Sequence, residues 1–421
     1  MSRKTALLLP GLAILLLANS VGAAARPVGA TRADLSSDRG VAAYLNAKGL
    51  SAKGFVVQRG QFNYAGPKCP GRKWNCTKKT KVVQVTSGKH GKNQLECDPG
   101  TLTGTTCMVV QNASSGKNQA RCSLDSRNLT PVVLTCQITQ TNVDGDNIAR
   151  IRQHVVQRDG PDQQGTLNAQ VTQTTGTGDN DSDVKQAIDQ RSTEVSMANA
   201  PTQNQDGRFS AIIAQTSTSG SNVSHLVQDL DQSGKASGGS NIVQRQFGEG
   251  RGDVDQTIGT TEGSSAPQTT SKHKSKSKHK DHSKSKSGSF SKSRARQSEH
   301  QKLKGPGQQI QTGPFFCCST QTGGDQDRTR VRIRQNSKQT ASQDSASQSQ
   351  SLTGECTTVG DCGIRQFAKN DQDSIRVRQR CMAPPGGTCS LFVPTTCGPE
   401  GCTTGGSEGS PSSTSRKKKR G

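Results

Sequence analysis

The sequence predicts an all-β chain of stacked strand–turn–strand repeats, and three observations carry that prediction. Residues 138–157 (ITQTNVDGDNIARIRQHVVQ), 171–190 (VTQTTGTGDNDSDVKQAIDQ) and 213–232 (IAQTSTSGSNVSHLVQDLDQ) align without a gap. Each copy alternates with period two, so that Ile138 and Gln140 share one strand face, and Ala149, Ile151 and Gln153 another. Hydrophobic residues make up only 28% of the chain and aromatics 3%, too little for ordinary oily cores. Order in such a chain requires something besides apolar burial.

A copy consists of a β-branched residue, x, Gln and Thr, then Gly-x-Asn, then an aliphatic residue, x, Gln and a last Gln four later. The phrase extends upstream as FVVQRGQFNYA (55–65), VVQVTSGKHGKNQLEC (82–97) and CMVVQNASSGKNQARC (107–122). It continues downstream as IVQRQFGEGRGDVDQ (242–256), CCSTQTGGDQDRTRVRIRQ (317–335) and CGIRQFAKNDQDSIRVRQ (362–379). Each copy reads as two strands around a Gly/Asn turn, glycine and asparagine suiting left-handed backbone positions. One such arch is unstable alone, but stacked copies bury their aliphatics and let identical amides bond along the stack. The predicted ladder residues are Gln58, Asn63, Gln84, Asn93, Gln111, Asn118, Gln140, Asn147, Gln153, Gln173, Asn180, Gln186, Gln215, Asn222, Gln228, Gln244, Gln256, Gln321, Gln335, Gln366 and Gln379.

The repeat resembles that of curlins, the subunits of bacterial curli fibres, in which aliphatic-x-Gln-x-Gly-x-x-Asn-x-Ala-x-aliphatic-x-Gln recurs. Val56, Gln58, Gly60, Asn63 and Ala65 stand at that spacing, with Cys69 in the slot of the final Gln. Asn147, Ala149, Ile151 and Gln153 match the second arm. The resemblance covers residues 55–256 and 317–381 and implies a curlin-like β-solenoid. Its spacers here are longer and uneven, and curlin repeats lack cysteine.

The expected organisation is a signal peptide (1–25), an N-terminal segment (26–54), and repeats over 55–256, disulfide-bearing to 137 and cysteine-free from 138. A disordered basic linker (257–308), a second repeat block (309–381), and a disulfide knot with a basic tail (382–421) follow. Met-Ser-Arg-Lys, an apolar run to about Leu17 and small residues near Ala23–Ala25 are the secretory features. No later segment is apolar enough to cross a membrane.

Fourteen cysteines in an exported chain read as disulfides: Cys69, Cys76, Cys97, Cys107, Cys122 and Cys136, then Cys317, Cys318, Cys356, Cys362, Cys381, Cys389, Cys397 and Cys402. Cys107, Cys136, Cys317 and Cys362 stand four residues before the first Gln of their copies, and Cys97 and Cys122 take the inward aliphatic slot. Rungs about 4.8 Å apart place equivalent cysteines within bonding range, so staples between neighbouring rungs are expected, with connectivity open. Seven histidines and no C-x-x-C pair argue against structural zinc and redox catalysis.

Two basic features suggest polyanions such as extracellular DNA or anionic wall polymers. One is an outward stripe at Arg150 and Arg152, Arg330, Arg332 and Arg334, and Arg376 and Arg378. The other is the run 271–304, twelve Lys or Arg against Asp281 and Glu299, including Lys272, Lys274, Lys276, Lys278, Lys280, Lys284 and Lys286. A solvated outer face and a solubilising linker are the plainer alternatives. Arg251-Gly252-Asp253 lies inside a repeat copy, and no catalytic signature stands at a recognisable spacing.

The expected function is therefore a non-enzymatic secreted structural protein of the cell surface or extracellular matrix. A self-assembling or adhesive subunit is one version of it. A secreted polyanion-binding protein using Arg stripes and a Lys-rich tether is the alternative. No cofactor and no small-molecule substrate are expected.

Overall fold

The computed structural model describes residues 37–47, 51–65, 79–86, 90–98, 104–128, 130–196, 202–237, 242–259, 289–305, 308–322, 329–341, 348–358, 361–370, 376–383, 388–398 and 401–404. It divides into two units, Met1–Lys53 and Gly54–Gly421. In the first, Asp38–Ala47 forms α1, a helix the repeat pattern does not foretell. Ser37 caps it, its Oγ accepting from Gly40 N at 3.1 Å, and Val41 and Leu45 bury the same face.

The second unit is all-β and mostly parallel. Its strands follow as β1 (Val56–Arg59), β2 (Phe62–Ala65), β3 (Lys79–Thr86), β4 (Gly91–Cys97), β5 (Gly104–Arg127), β6 (Val132–Arg158), β7 (Asp162–Thr175), β8 (Asn180–Ser196), β9 (Thr202–Ser217) and β10 (Asn222–Ser237). Then come β11 (Val243–Ile258), β12 (Ser291–Gly305), β13 (Gln308–Thr322), β14 (Arg330–Ala341), β15 (Gln348–Thr358), β16 (Asp361–Asn370), β17 (Arg376–Ala383), β18 (Thr388–Gly398) and β19 (Gly401–Thr404).

The pairings sort them into two parallel ladders. One, arm A, runs β1, β3, β5, β6, β7, β9, β11, β13, β15. The other, arm B, runs β2, β4, β5, β6, β8, β10, β12, β14, β16. The long strands β5 and β6 serve both arms, their first halves in A and second halves in B. Each circuit of the chain thus lays one rung, and nine rungs follow one another among the described residues. Antiparallel β18 and β17 cover the last rung, on β15 and β16 respectively, and β19 pairs with β18.

Alternation explains why these residues form these strands. β7, for example, reads exposed, then buried at every second position from Gln163 to Thr175. Arm A contributes an apolar column in register, Val82, Val109, Ile138, Val171, Ile213 and Val254, and arm B contributes Ile151, Val184, Leu226, Ala295 and Val331. All are 3% exposed or less and belong to one buried cluster. The core is narrow, a strip of aliphatics between amide columns, which is why 28% hydrophobic residues suffice.

The turn between the arms owes its glycines to contact more than to backbone handedness. A Cβ on Gly116 would lie 2.1 Å from Gly91 O, on Gly145 2.0 Å from Gly116 O, and on Gly178 2.1 Å from Gly145 O. Only Gly116 of these has a left-handed φ, +103°, and the repeat asparagines are not left-handed. The turns stack directly on one another, and a side chain would wedge them apart.

Three expectations are corrected here. The separation into blocks at 55–256 and 309–381 is absent from the pairings, because β11 bonds β13 and β12 bonds β14. Residues 291–305, expected within a disordered linker, are strand β12; residues 260–288 lie outside the described residues. The stretches 242–256 and 362–379 are not whole copies. The first is arm A alone, completed by β12, and the second is arm B followed by the antiparallel β17, with β15 supplying the missing arm A.

Candidate functional site

The features that the described residues build are the interior amide ladders, the cysteine columns and the outer charges. The arm A ladder is the longest. The Nε2 of Gln84 donates to Gln58 Oε1 (2.8 Å), Gln111 to Gln84 (2.7 Å), Gln140 to Gln111 (2.7 Å) and Gln173 to Gln140 (2.8 Å). Gln215 then donates to Gln173 (2.7 Å), Gln256 to Gln215 (2.6 Å) and Gln321 to Gln256 (2.6 Å). From Gln84 to Gln256 each amide also donates across the rung, as Gln111 does to Gln119 O at 2.9 Å, so both its N–H bonds are used.

Asparagines make a second ladder with reversed polarity. Asn63 donates to Asn93 (2.9 Å), Asn93 to Asn118 (2.8 Å), Asn118 to Asn147 (2.9 Å), Asn147 to Asn180 (2.9 Å) and Asn180 to Asn222 (2.8 Å). It ends there because Ser291 occupies the next position.

In arm B, Gln186 donates to Gln153 (2.8 Å), Gln228 to Gln186 (2.8 Å) and Gln297 to Gln228 (2.7 Å). The ladder stops at β12, where Gln297 registers with Ile333 and Glu299 with Gln335. A new ladder starts two residues away. Gln335 Nε2 donates to Glu299 Oε2 at 2.8 Å, and Gln366 to Gln335 at 2.7 Å. Gln335 and Gln366 therefore do not continue the Gln153 column. Gln244 likewise belongs to a separate column with Gln203 and Gln309, and Gln379 registers opposite Gln366 in the antiparallel β17.

Glu299 is the feature that sequence reasoning missed. Buried at 2% exposure, its carboxyl is pushed up to about 8 by desolvation, against the opposing hydrogen bond from Gln335. It holds its proton where surface carboxylates have lost theirs. Columns at Gln203–Gln244–Gln309–Gln348 and Gln163–Gln205–Gln246–Gln311–Gln350 were also missed. Their signal is present in the sequence, as Gln-x-Gln recurs at 203–205, 244–246, 309–311 and 348–350.

Seven of the described cysteines fall into two columns. Cys107, Cys136, Cys317 and Cys356 share one arm A position, and Cys97, Cys122 and Cys362 share one arm B position. Cys362 thus leaves the group assigned to it and Cys356 replaces it. Disulfides join Cys122 to Cys136 and Cys356 to Cys362, with Cα atoms 6.3 and 6.2 Å apart. Both cross the core between arms instead of running along a column. In-register neighbours point their Cβ atoms the same way, whereas crossing pairs face each other. Cys317 is buried, and burial pushes its thiol up; exposed Cys318 adjoins it. Cys69 and Cys76 lie outside the described residues, as do the side chains of Cys381, Cys389, Cys397 and Cys402.

Outside, the predicted arginine stripe divides. Arg150 bonds Asp181, and Arg158 reaches Asp189 at 2.6 Å. Arg152 registers with Lys185, which sits 3.3 Å from Asp183. Arg330, Arg332 and Arg334 instead face outward beside Arg294, Arg296 and Arg365, and among the described residues Arg330 alone of the three has an ion pair, with Asp361 at 3.5 Å. Lys272, Lys274, Lys276, Lys278, Lys280, Lys284 and Lys286 lie outside the described residues, as do the side chains of Arg376 and Arg378. In the Arg251-Gly252-Asp253 triplet, Gly252 is buried and the two charged side chains bond each other at 3.1 Å.

Among the described residues no group of three or more His, Cys, Asp or Glu is placed to hold a metal, and no helix is long and apolar enough to cross a membrane. Comparison with protein-family models, with curated proteins and with solved structures finds no match to this chain.

Proposed function

We propose that the chain is a non-enzymatic, secreted structural protein of the cell surface or extracellular matrix, folded as a curlin-like β-solenoid. The observation that carries this reading is the eight-member glutamine ladder from Gln58 to Gln321, in which each amide bonds the next rung. A continuous amide spine stiffens a chain along its length and supplies no reactive group. The two core-crossing disulfides suit an oxidising exterior.

The solenoid acts as a discrete particle and not as an endlessly growing fibre. Antiparallel β17 and β18 cover both arms of the last rung and leave no parallel edge there for another copy to extend. Sedimentation and thioflavin fluorescence of the purified oxidised protein test this. A β-rich circular dichroism spectrum with one discrete sedimenting species is expected. Random-coil spectra would refute the fold reading, and seeded fibre growth would refute the discrete particle.

A further inference from the structure

We propose that the outer face of β12, β14 and β16 is a docking surface for the phosphate backbone of double-stranded nucleic acid. This goes beyond the structural reading and rests on strand register. β12 presents Lys292, Arg294, Arg296, Lys302 and Lys304 on the positions that alternate with its buried residues. β14 presents Arg330, Arg332, Arg334 and Lys338, and β16 presents Arg365. Against these ten cations the same described positions carry one carboxylate, Asp361.

The register stacks like charge on like charge. Arg294 stands opposite Arg330, Arg296 opposite Arg332, Lys302 opposite Lys338, and Arg334 opposite Arg365. Like charges directly opposite across strands destabilise a sheet. Like charges also stand opposite earlier in the ladder, Arg158 against Arg191 and Arg152 against Lys185, but there aspartates intervene: Arg158 meets Asp189 at 2.6 Å, Lys185 meets Asp183 at 3.3 Å, and Arg191 lies 3.6 Å from Asp231. Among the described residues Asp361 pairs with Arg330 and Asp229 lies near Arg296, which leaves most of the ten cations without a carboxylate partner and open to an anion from outside.

The chemistry selects among polyanions. Six of the ten cations are arginines, whose planar fork grips phosphate oxygens in pairs. The array follows β12 for about 40 Å at roughly 3.3 Å per residue, a rigid platform suited to an equally regular line of charge. Duplex DNA carries one charge per about 1.7 Å of axis, and neutralising it releases counterions. Single-strand platforms stack bases on rows of aromatics, and Phe367 and the imidazole of His300 are the only aromatic rings at the described outer positions of these strands. Contacts of this kind read the backbone and not the base sequence.

The test is fluorescence anisotropy of the full oxidised chain with a labelled duplex of arbitrary sequence across a salt series. The parent is expected to bind with steep salt dependence. The variant Arg296→Ser/Arg332→Ser/Arg334→Ser/Arg365→Ser is expected to lose at least about 30-fold in affinity and about 3.6 from the magnitude of the log–log salt slope. Replacing the seven lysines of 272–286 by serine is expected to cost less than about 5-fold, and Arg150→Ser/Arg158→Ser about nothing. Duplex should raise the thermal midpoint of the parent and not of the fourfold variant. Fourfold-variant affinity within about 3-fold of the parent, loss of all binding in the lysine variant, or binding of a sulfated glycan or wall polymer but not duplex would each overturn the proposal. If the fourfold variant loses its β-sheet spectrum, Arg332→Ser alone must lower the slope by about 0.9, and an unchanged slope is equally fatal.

Discussion

Two stretches of arm B share one backbone lattice and differ in almost everything attached to it. Along β6, β8 and β10 the turns stack glycine on glycine, the glutamine column runs unbroken, and outer arginines meet aspartates. Along β12, β14 and β16 the intervals between arms differ in length, the glutamine column slips by two residues at Glu299, and arginine stacks on arginine with Asp361 the one carboxylate at the described outer positions. The β12–β14 step is a fault line. Gln297 and Gln301 face Ile333 and Ser337 there, and the Oε1 atoms of Gln297, Glu299 and Gln301 find no hydrogen-bond partner. Meanwhile arm A passes the same rungs without interruption, since Gln311 donates to Gln246 at 2.7 Å. One intact ladder holds the register while the other changes, which frees the outer face of the altered arm for another purpose.

Breaking the earlier stretch at its turn should have the largest effect. Gly145→Ala would force a Cβ to 2.0 Å from Gly116 O, and it is expected to cost about 4 kcal/mol or more in denaturant unfolding. Gly104→Ala, where no atom lies within 4 Å of the added Cβ, is expected to be nearly neutral in the same assay. Next in size is the ladder. Gln186→Ala strands Gln153 Oε1 and the Nε2 of Gln228, for a loss of about 2–4 kcal/mol, whereas Gln297→Ala removes a ladder end and should cost about half as much.

The fault line offers a test of opposite sign. The carboxyl of Glu299 is raised in the folded chain, so folding holds a proton that unfolding releases, and stability falls as pH rises from about 4.5 to about 8. Glu299→Gln should remove that decline and stabilise the protein by a few kcal/mol above pH 8, with little change below pH 4.5. A parallel pH profile in parent and variant would show that the carboxyl is not titrating in the core. The smallest contrast is on the surface. Arg158→Ser is expected to lose about 0.5 kcal/mol, and Arg332→Ser to gain a few tenths at low salt, both differences shrinking as salt rises.

Much of the interior was legible because its chemistry is local and periodic. Gln58, Gln84, Gln111, Gln140, Gln173 and Gln215 recur at one phase of a short motif, and the structure brings those residues into one column. β12 escaped because composition drowned its pattern. Gln297 and Gln301 repeat the spacing of Gln228 and Gln232, but they sit in a segment whose lysines and serines read as linker. The interval from 259 to 290 in the sequence also separates β12 from its arm A partner, and parallel pairing across such a gap leaves no mark on either segment alone. The cysteine phase counts failed for a related reason. Cys362 precedes a glutamine at the arm A spacing, yet its strand pairs with β14 in arm B.

By itself the sequence determined the alternation, the amide spine and the turn glycines, since each depends on residues a few positions apart. Tertiary structure alone decided which strands are neighbours. It therefore also decided that the disulfides cross the core, that Glu299 is buried beneath a glutamine, and that arginines from three distant strands share one face. Those outcomes depend on register between segments tens of residues apart, which is set by the fit of whole rungs upon one another.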